Sequence, residues 1–225
     1  MNRFKKPEGF DKELKMYEWM KQEKFEFNKN SIMDGKDIVM HDWEDRMMKK
    51  HAEVVCQNGG DILELGFGMG ISAGHIQQQD IKSHTIIEKD KDVHKRLCKW
   101  AEDKPNVKII FGDWYNNLPD EKFDGVFFDT YNDINRMFMP LRLLSVFKKT
   151  TIVSWFNSYL DGDSIYSKSL LQNSSVKYHK MNIKIPEYVD YFLKEYKDEY
   201  FIPEWSVGEN DTKEKYMEIL HKMRK

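Results

Sequence analysis

The sequence predicts an α/β fold: a mostly parallel seven-stranded sheet with helices on both faces, preceded by an N-terminal helical extension. Three observations predict it. From Asp61 onward, short apolar runs alternate with helix-like segments, and parallel neighbours need a crossover of this kind. The runs rarely show a polar face, as expected of strands covered on both sides. One run, 61–65 (DILEL), leads into a glycine-rich turn and then a helical segment.

The elements follow in order. Residues 10–27 carry apolar side chains at roughly helical spacing, and 28–38 read as a loop. Residues 42–56 read as a helix that Asn58-Gly59-Gly60 ends. Strands are expected at 61–65, 84–87, 107–111, 123–129 and 150–155, with helices at 71–79, 90–101 and 136–147. Residues 176–185 and 200–205 complete seven strands, and Pro203 suggests an edge or a strand end. Residues 211–223 form a last helix. We divide the chain into an N-terminal helical extension or lid, 1–38, and a main domain, 39–225.

Composition excludes several functions. The chain has 225 residues, 36 basic and 38 acidic, for a net charge of −2. No basic block marks a nucleic-acid face, and the Lys-rich ends read as solvated tails. No apolar run is long enough to span a membrane. The N-terminal MNRFKKPEGFDKELK lacks a signal-like apolar stretch, so a cytoplasmic location is expected. The two cysteines, Cys56 and Cys98, sit far apart in helical patterns and read as buried free thiols. No Cys/His spacing suits a metal, so none is expected. Most of the 13 methionines read as core filler.

The chemistry concentrates where 61–65 ends. Gly66, Gly68 and Gly70 alternate after Glu64, and Ile71 opens the helix. Glycines there let backbone approach a ligand beside a helix N-terminus. Pyrophosphate binding needs G-x-G-x-x-G, and Ile71 stands at the third glycine's place. The pattern E-x-G-x-G-x-G instead resembles the first motif of class I S-adenosylmethionine (SAM) methyltransferases, which implies a Rossmann-like domain. Glu88, ending the next strand, is placed to accept both ribose hydroxyls. The bland alternative is that the glycines only make a tight turn. Asp129 ends the fourth strand and would project into the same site; alone, it could equally cap the following loop. Glu44 precedes the sheet on a segment that could fold over the pocket; alone, it reads as an exposed first-turn carboxylate.

VMHDWE, DILELGFGMGIS, HTIIE, FGDW and FDGVFFDTY, in this order and spacing, resemble guanidinoacetate N-methyltransferase and the related protein-arginine δ-N-methyltransferases. The resemblance runs from about Val39 to Phe147 and returns at EYFIPEW. It implies that Glu44 and Asp129 grip a guanidinium and are the catalytic pair. A planar guanidinium suits bidentate carboxylates, and a facing carboxylate can take the proton from the attacking nitrogen. The resemblance also implies a SAM pocket made by Met40, Met48, Glu64, Gly66, Phe67, Gly68, Met69, Gly70, Ile71, Glu88, Gly112, Asp113, Trp114 and Asp129. Trp19 is a weaker candidate, resting only on its distance upstream, and reads first as core. Asp113 would accept the adenine amino group, with a plain helix N-cap as the alternative. In the family, backbone N–H groups of a Leu-Thr after the fifth strand meet the substrate carboxylate; the nearest match here is Phe156-Asn157.

The expected function is therefore SAM-dependent methylation of a small guanidino acid, most simply guanidinoacetate to give creatine, by a monomer or weak dimer. Methylation of free or protein arginine is the alternative; protein-arginine relatives carry a large N-terminal repeat region that is not seen here, which leans towards a small acceptor. A nucleic-acid enzyme would show Asn/Asp-Pro-Pro and an aromatic where this chain has DTYN. A non-catalytic SAM-binding protein would be expected to have lost Glu44 or Asp129.

Overall fold

The computed structural model describes residues 25–223, apart from Lys36, Asn132, Ile185 and residues 158–170, 172–173 and 187–198. Most of the helix expected at 10–27, including Trp19, lies outside the described residues. Its last part, Glu26–Phe27, is a strand (β1) instead.

The stretch 28–38, expected as a loop, is a hairpin. β2 (Ser31–Asp34) and β3 (Asp37–His41) pair antiparallel, and β1 adds to β2. Asp34-Gly35, with Gly35 at φ 60°, supplies the turn that folds the strands together. The boundary expected at 38/39 falls inside β3. A 3-10 turn at Asp42–Glu44 leads into α1 (Asp45–Val55), which buries Met47, Met48, His51, Ala52, Val54 and Val55.

Among the described residues the main sheet has seven strands, in the order β6-β5-β4-β7-β8-β10-β9. They are β4 (Asp61–Leu65), β5 (Ser83–Glu88), β6 (Val107–Phe111), β7 (Phe123–Phe128), β8 (Phe147–Trp155), β9 (Ser175–Asn182) and β10 (Glu199–Ser206). β6 through β8 run parallel, whereas β10 pairs antiparallel with β8 and β9. The helices between them are α2 (Ile71–Ile76), α3 (Lys91–Ala101), α4 (Trp114–Asn117) and α5 (Met139–Leu143), with α6 (Lys213–Met223) last. Asp90 caps α3, accepting from Asp92 N–H at 2.8 Å and Val93 N–H at 2.9 Å, which fixes where that helix begins.

Period two sorts the strand side chains to two faces. On β4, Ile62 joins Met48, Ala52, Val55 and Phe127 under α1. Its neighbours Leu63 and Leu65 join Val126, Phe128, Leu143 and Trp155 on the other face. The chain winds outward from β4 through β5 to β6, then crosses back to β7 and β8. The carboxyl ends of β4 and its neighbours therefore form the crevice of a topological switch point.

Three further expectations are corrected. The helix foreseen at 136–147 is broken into a 3-10 turn at Ile134–Phe138, α5, and a second 3-10 turn at Leu144–Val146. Phe147 already belongs to β8. Pro203 sits in an interior strand, not an edge. Its carbonyl accepts from Ser154 Oγ on β8, so its nitrogen faces the same side, where the β8–β10 ladder is limited to Trp205↔Val153 and Ser206↔Ile152. Cys56 is buried as expected, with burial pushing its thiol pKa up to about 12, but Cys98 is exposed.

Leu63 is fully buried between β4 neighbours and the α5 side of the core. Leu63→Ala should cost about 2–5 kcal/mol in chemical denaturation. A loss well under 1 kcal/mol would show that this face of the sheet is not the packed core.

Candidate active site

After Leu65 the chain turns through Gly66-Phe67-Gly68-Met69-Gly70 into α2. Gly66 has φ +90°, and a Cβ there would stand 2.0 Å from the carbonyl oxygen of Asp129. The turn is thus pressed against the end of β7, and Asp129 N–H in turn donates to Leu65 O at 3.0 Å. Gly68 has φ +54°, and a Cβ would meet Met40 Sδ at 2.7 Å. Met40, buried on β3, also accepts from Met69 N–H at 3.2 Å. The N-terminal hairpin is therefore docked on the glycine turn through one side chain. Glu88 holds the turn from the other side: Oε2 accepts Phe67 N–H at 2.9 Å and Oε1 accepts Asp90 N–H at 2.7 Å. Burial pushes its pKa up against those bonds.

A cavity of about 740 Å³, open solvent included, opens above this turn. The structure brings eight of the sequence-predicted residues to its wall: Met40, Gly66, Phe67, Gly68, Glu88, Gly112, Trp114 and Asp129. The hairpin adds Ile32 and Val39, Phe25 joins them from just before β1, and the loop after β7 adds Thr130, Tyr131 and Asp133. Asp133 accepts from Trp114 Nε1, and from Thr130 Oγ1 at 2.9 Å. Tyr131 is linked to the hairpin: its hydroxyl bonds Asp34, and burial with the nearby Asp34 and Asp37 charges raises its pKa to about 12.

The other predicted cofactor residues lie behind this wall. Glu64 is fully buried, accepts from Ser72 Oγ, and has His84 Nε2 3.0 Å away but misaligned for a hydrogen bond. Met48 is fully buried under α1. Gly70 is the N-cap of α2, Ile71 its first residue, and both Met69 and Ile71 pack on the α1 cluster. Asp113 caps α4 by accepting Tyr115 N–H at 3.0 Å.

Beyond Asp129 lies a second group of polar residues. Asp129 is half-buried and faces the cavity, and desolvation raises its carboxyl pKa to about 7; the Arg136 charge opposes that rise and the Glu64 charge adds to it. Glu44 is 3% exposed, and accepts His41 N–H at 3.0 Å, so it is not the exposed first-turn carboxylate of the bland reading. The Tyr200 hydroxyl lies within electrostatic reach of both: burial drives its pKa far up, and Asp129 and Glu44 add to the rise. Phe156 N–H donates to Phe128 O at 3.0 Å, and Asn157 N–H donates to Tyr200 Oη at 2.8 Å. The two backbone donors expected for an acceptor's carboxylate are thus both engaged inside the protein.

Tyr200 belongs to a directed chain. Ser154 Oγ donates to Pro203 O, so its lone pair takes the Nδ1–H of His51 at 2.7 Å. That leaves His51 Nε2 as acceptor towards Tyr200 Oη at 3.4 Å. Burial lowers the His51 pKa to about 3, keeping the ring neutral. The sequence reading missed His51, Ser154, Tyr200 and Arg136. His51 and Tyr200 read as members of apolar periodic runs, and only their positions across the sheet bring them together. The hairpin did carry a signal, in Asp34-Gly35 between two apolar stretches.

With the geometry in hand, the chain can be compared with known proteins. A family described as guanidinoacetate N-methyltransferase matches residues 15–149. Protein arginine N-methyltransferase 2 of Candida glabrata is 31% identical over 194 residues, covering 75% of this chain and 47% of that protein. The protein of the same name from Yarrowia lipolytica is 33% identical over 147 residues, covering 58% of this chain and 30% of that protein. The chain spans less than half the length of these curated relatives. Among solved structures, N-methyltransferase NodS from Bradyrhizobium japonicum superposes with a TM-score of 0.57 at 11% identity, covering 74% of this chain and 97% of that one. M. jannaschii TYW2 in complex with AdoMet gives 0.52 at 14% identity, covering 82% and 85%. These likenesses establish the Rossmann-like class I methyltransferase fold.

The raised pKa of Asp129 makes a stability prediction. A carboxyl that titrates near 7 when folded, and near 4 when unfolded, binds more protons in the native state between those values. Native stability therefore falls as pH rises from about 4 to 7 and stays reduced above. Asp129→Asn removes that loss, so it should stabilise by on the order of a few kcal/mol at pH 8 and by little at pH 4. Denaturant melts of both proteins across this range check the sign; a variant less stable at pH 8 would show that the charge is well satisfied.

Proposed function

The chain belongs to the guanidinoacetate N-methyltransferase family, and from that premise we propose that it is a SAM-dependent methyltransferase acting on a guanidino nitrogen of a small acid such as guanidinoacetate. The observation that carries the acceptor class is the pair of desolvated carboxylates: Asp129 faces the cavity, and Glu44 shares the Tyr200 hydroxyl with it as an electrostatic neighbour. Two acids drawn out of water at one place need a cation, and a guanidinium offers the planar donor fork that matches them.

The residues around the cavity fit the methyl donor. Gly68 lines the cavity with its backbone, and its missing side chain makes room for the Met40 thioether that roofs the turn. Glu88 stands at the wall where ribose hydroxyls bind in such folds, and a carboxylate's roughly four lone-pair sites exceed the backbone N–H groups of Phe67, Asp90 and Lys89 that bond to it. Trp114, Phe67 and Val93 supply apolar wall, and Trp114 is held in place by Asp133. Bound SAM supplies an electrophilic methyl group on a sulfonium. In this reading Met40, Gly66, Phe67, Gly68, Glu88, Gly112, Trp114 and Asp129 hold the donor. Met48, Glu64, Met69, Gly70, Ile71 and Asp113 shape the elements behind them.

The chain's own part in the reaction is orientation and proton removal. Glu44, fixed by the His41 backbone, and Asp129, fixed by β7 and Gly66, hold the guanidinium with one nitrogen facing the donor. As the new N–C bond forms and the methyl group's S–C bond breaks, leaving a neutral thioether, that nitrogen would shed a proton and Asp129 would accept it. A carboxylate titrating near 7 is matched to that exchange at neutral pH. The product remains a guanidinium, and the positive charge lost from the sulfonium is matched by the negative charge lost when Asp129 takes the proton. Methylation of arginine, free or in a protein, is the second reading, favoured by the names of the curated relatives.

Three outcomes test this. Incubation with labelled SAM against guanidinoacetate, arginine, agmatine and an arginine-containing protein, with mass analysis of the product, should show methyl transfer to a small guanidino acid; transfer only to protein would replace the first reading with the second. Glu44→Gln and Asp129→Asn should each lower single-turnover methyl transfer by on the order of 10²–10⁴-fold, with the double variant little worse than the poorer single one. Near-wild-type turnover in either would remove that residue from the mechanism. Glu88→Ala should weaken SAM binding by about 1.5–3 kcal/mol in calorimetry; unchanged affinity with a collapsed melting temperature would make Glu88 only the clamp of the glycine turn.

A further inference from the structure

A second cavity, of about 500 Å³ with open solvent included, adjoins the donor cavity at the glycine turn. The two share Ile32, Phe67 and Gly68 among the described residues. One wall comes from the three-stranded N-terminal sheet, with Phe27 and Lys29, and the other from α3, with Arg96 and Trp100. Glu44, Glu88 and Asp129 are not part of it. A cleft of this size, lined largely by apolar rings, suits a small organic molecule.

Its charge is one-sided. Lys29 and Arg96 line it, and no acid among the described residues does. The Arg96 guanidinium lies over the Phe27 ring, 3.8 Å from its centroid. Among the described residues that guanidinium has no hydrogen bond and no carboxylate within ion-pair distance, and the same holds for the Lys29 ammonium. A ring under one face of a guanidinium holds it in place and leaves the N–H donors at its edge open to a planar oxyanion. Beside it, Phe67 and Trp100 pack with centroids 5.4 Å apart and extend the apolar surface. Arg96 is exposed, so a pair formed there is screened and of modest strength.

We propose that this cavity is an effector site for a small organic anion, a carboxylate or phosphate carried on a flat apolar body, and that its occupancy tightens binding of the methyl donor. The oxyanion meets the edge of Arg96 and the Lys29 ammonium, and the body lies against the rings. The sign of the linkage follows from the walls. The sheet that carries Phe27 also brings Ile32, Val39 and Met40 to the donor cavity. A ligand that ties this sheet to α3 favours the same docked position that completes the donor cavity. Each ligand therefore strengthens the other by the same factor. The inference goes beyond the methyl-transfer reading: it takes from it the place of the donor and is independent of which guanidine is the acceptor.

The test uses the full chain, wild type and Arg96→Gln. The probes are phenyl phosphate and phenylacetate, which join an oxyanion to a ring, benzyl alcohol, which has the ring without the charge, and inorganic phosphate, which has the charge without the ring. Probe binding is followed by ligand-observed NMR, and S-adenosylhomocysteine affinity by calorimetry with and without saturating probe. A ring-bearing anion should bind wild type about fivefold more tightly than benzyl alcohol or inorganic phosphate, and the tighter of the two anions assigns phosphate or carboxylate. Arg96→Gln should weaken that binding about fivefold, the upper end for an exposed ion pair, and leave S-adenosylhomocysteine affinity without probe within about twofold. Saturating probe should tighten S-adenosylhomocysteine about fivefold in wild type, the lower end of typical coupling between sites. The proposal is overturned if neither ring-bearing anion binds wild type, if benzyl alcohol or inorganic phosphate binds as tightly, or if Arg96→Gln binds the anion unchanged. A probe that weakens S-adenosylhomocysteine makes the cavity an extension of the donor site, and one that leaves it unaltered removes the linkage; both overturn the effector role. Wild type that binds the anion but no S-adenosylhomocysteine sinks the donor reading and the linkage with it, a failure that the Arg96→Gln comparison on the anion alone keeps apart from loss of the anion site.

Discussion

The desolvated carboxylate of Asp129 is the constraint on which the site depends. Its position follows from the fold: β7 ends at Phe128, and a strand at the switch point delivers its next side chain into the crevice. Its backbone is fixed on one side by Leu65 and by the close approach of Gly66. On the other, Phe128 accepts the Phe156 N–H. A charge at such a place is costly unless positive groups answer it. Arg136 answers part of it within the chain, opposing the rise in pKa that burial imposes. What remains is a site that favours cations, and the proposed chemistry uses that preference twice, for the sulfonium donor and for the guanidinium acceptor.

The antiparallel half of the sheet serves the same site by other means. Asn157 N–H, Tyr200, His51, Ser154 and the Pro203 carbonyl form one run of donors and acceptors pointing a single way. It joins α1 to β8 and β10 with no net charge, since His51 stays neutral down to about pH 3. A neutral, satisfied chain is the economical way to bury this many polar atoms. It also fixes the Tyr200 hydroxyl within electrostatic reach of Asp129 and Glu44, and it consumes the Asn157 N–H.

Much of this was legible in the sequence, and the parts that were not share a cause. Residues 107–111 and 90–101 carry their own signals, in an apolar run and in a helical pattern, and both elements appear there, the helix starting at Lys91 because Asp90 is its cap. The glycine turn was legible because three positive-φ positions in succession have few other uses. The break in 136–147 was hidden because Pro140 sits where a helix can start, and the apolar spacing on either side continues across it. Glu64 looked like a ligand residue from its place before the glycines, yet its direction along β4 sends it to Ser72 and His84. Arg136 carried no local signal at all: the carbonyl that holds it lies twenty positions away, just past the end of β8.

In the proposed reading, donor seating and acceptor grip are joined in one short segment. Met40 ends its side chain on the glycine turn, taking the Met69 N–H and filling the space over Gly68. Four residues on, Glu44 turns back to hold the His41 backbone, so the carboxylate and the thioether belong to the same rigid turn. Tyr131 ties the hairpin that carries Met40 to the loop that carries Asp129, through Asp34. A displacement of β3 thus moves the roof of the donor cavity and one of the two proposed acceptor carboxylates at once. In the proposed reaction, this makes a site with its donor wall in place also a site with Glu44 set against the guanidinium, which is the order in which a reaction that must exclude water gains from assembling its parts.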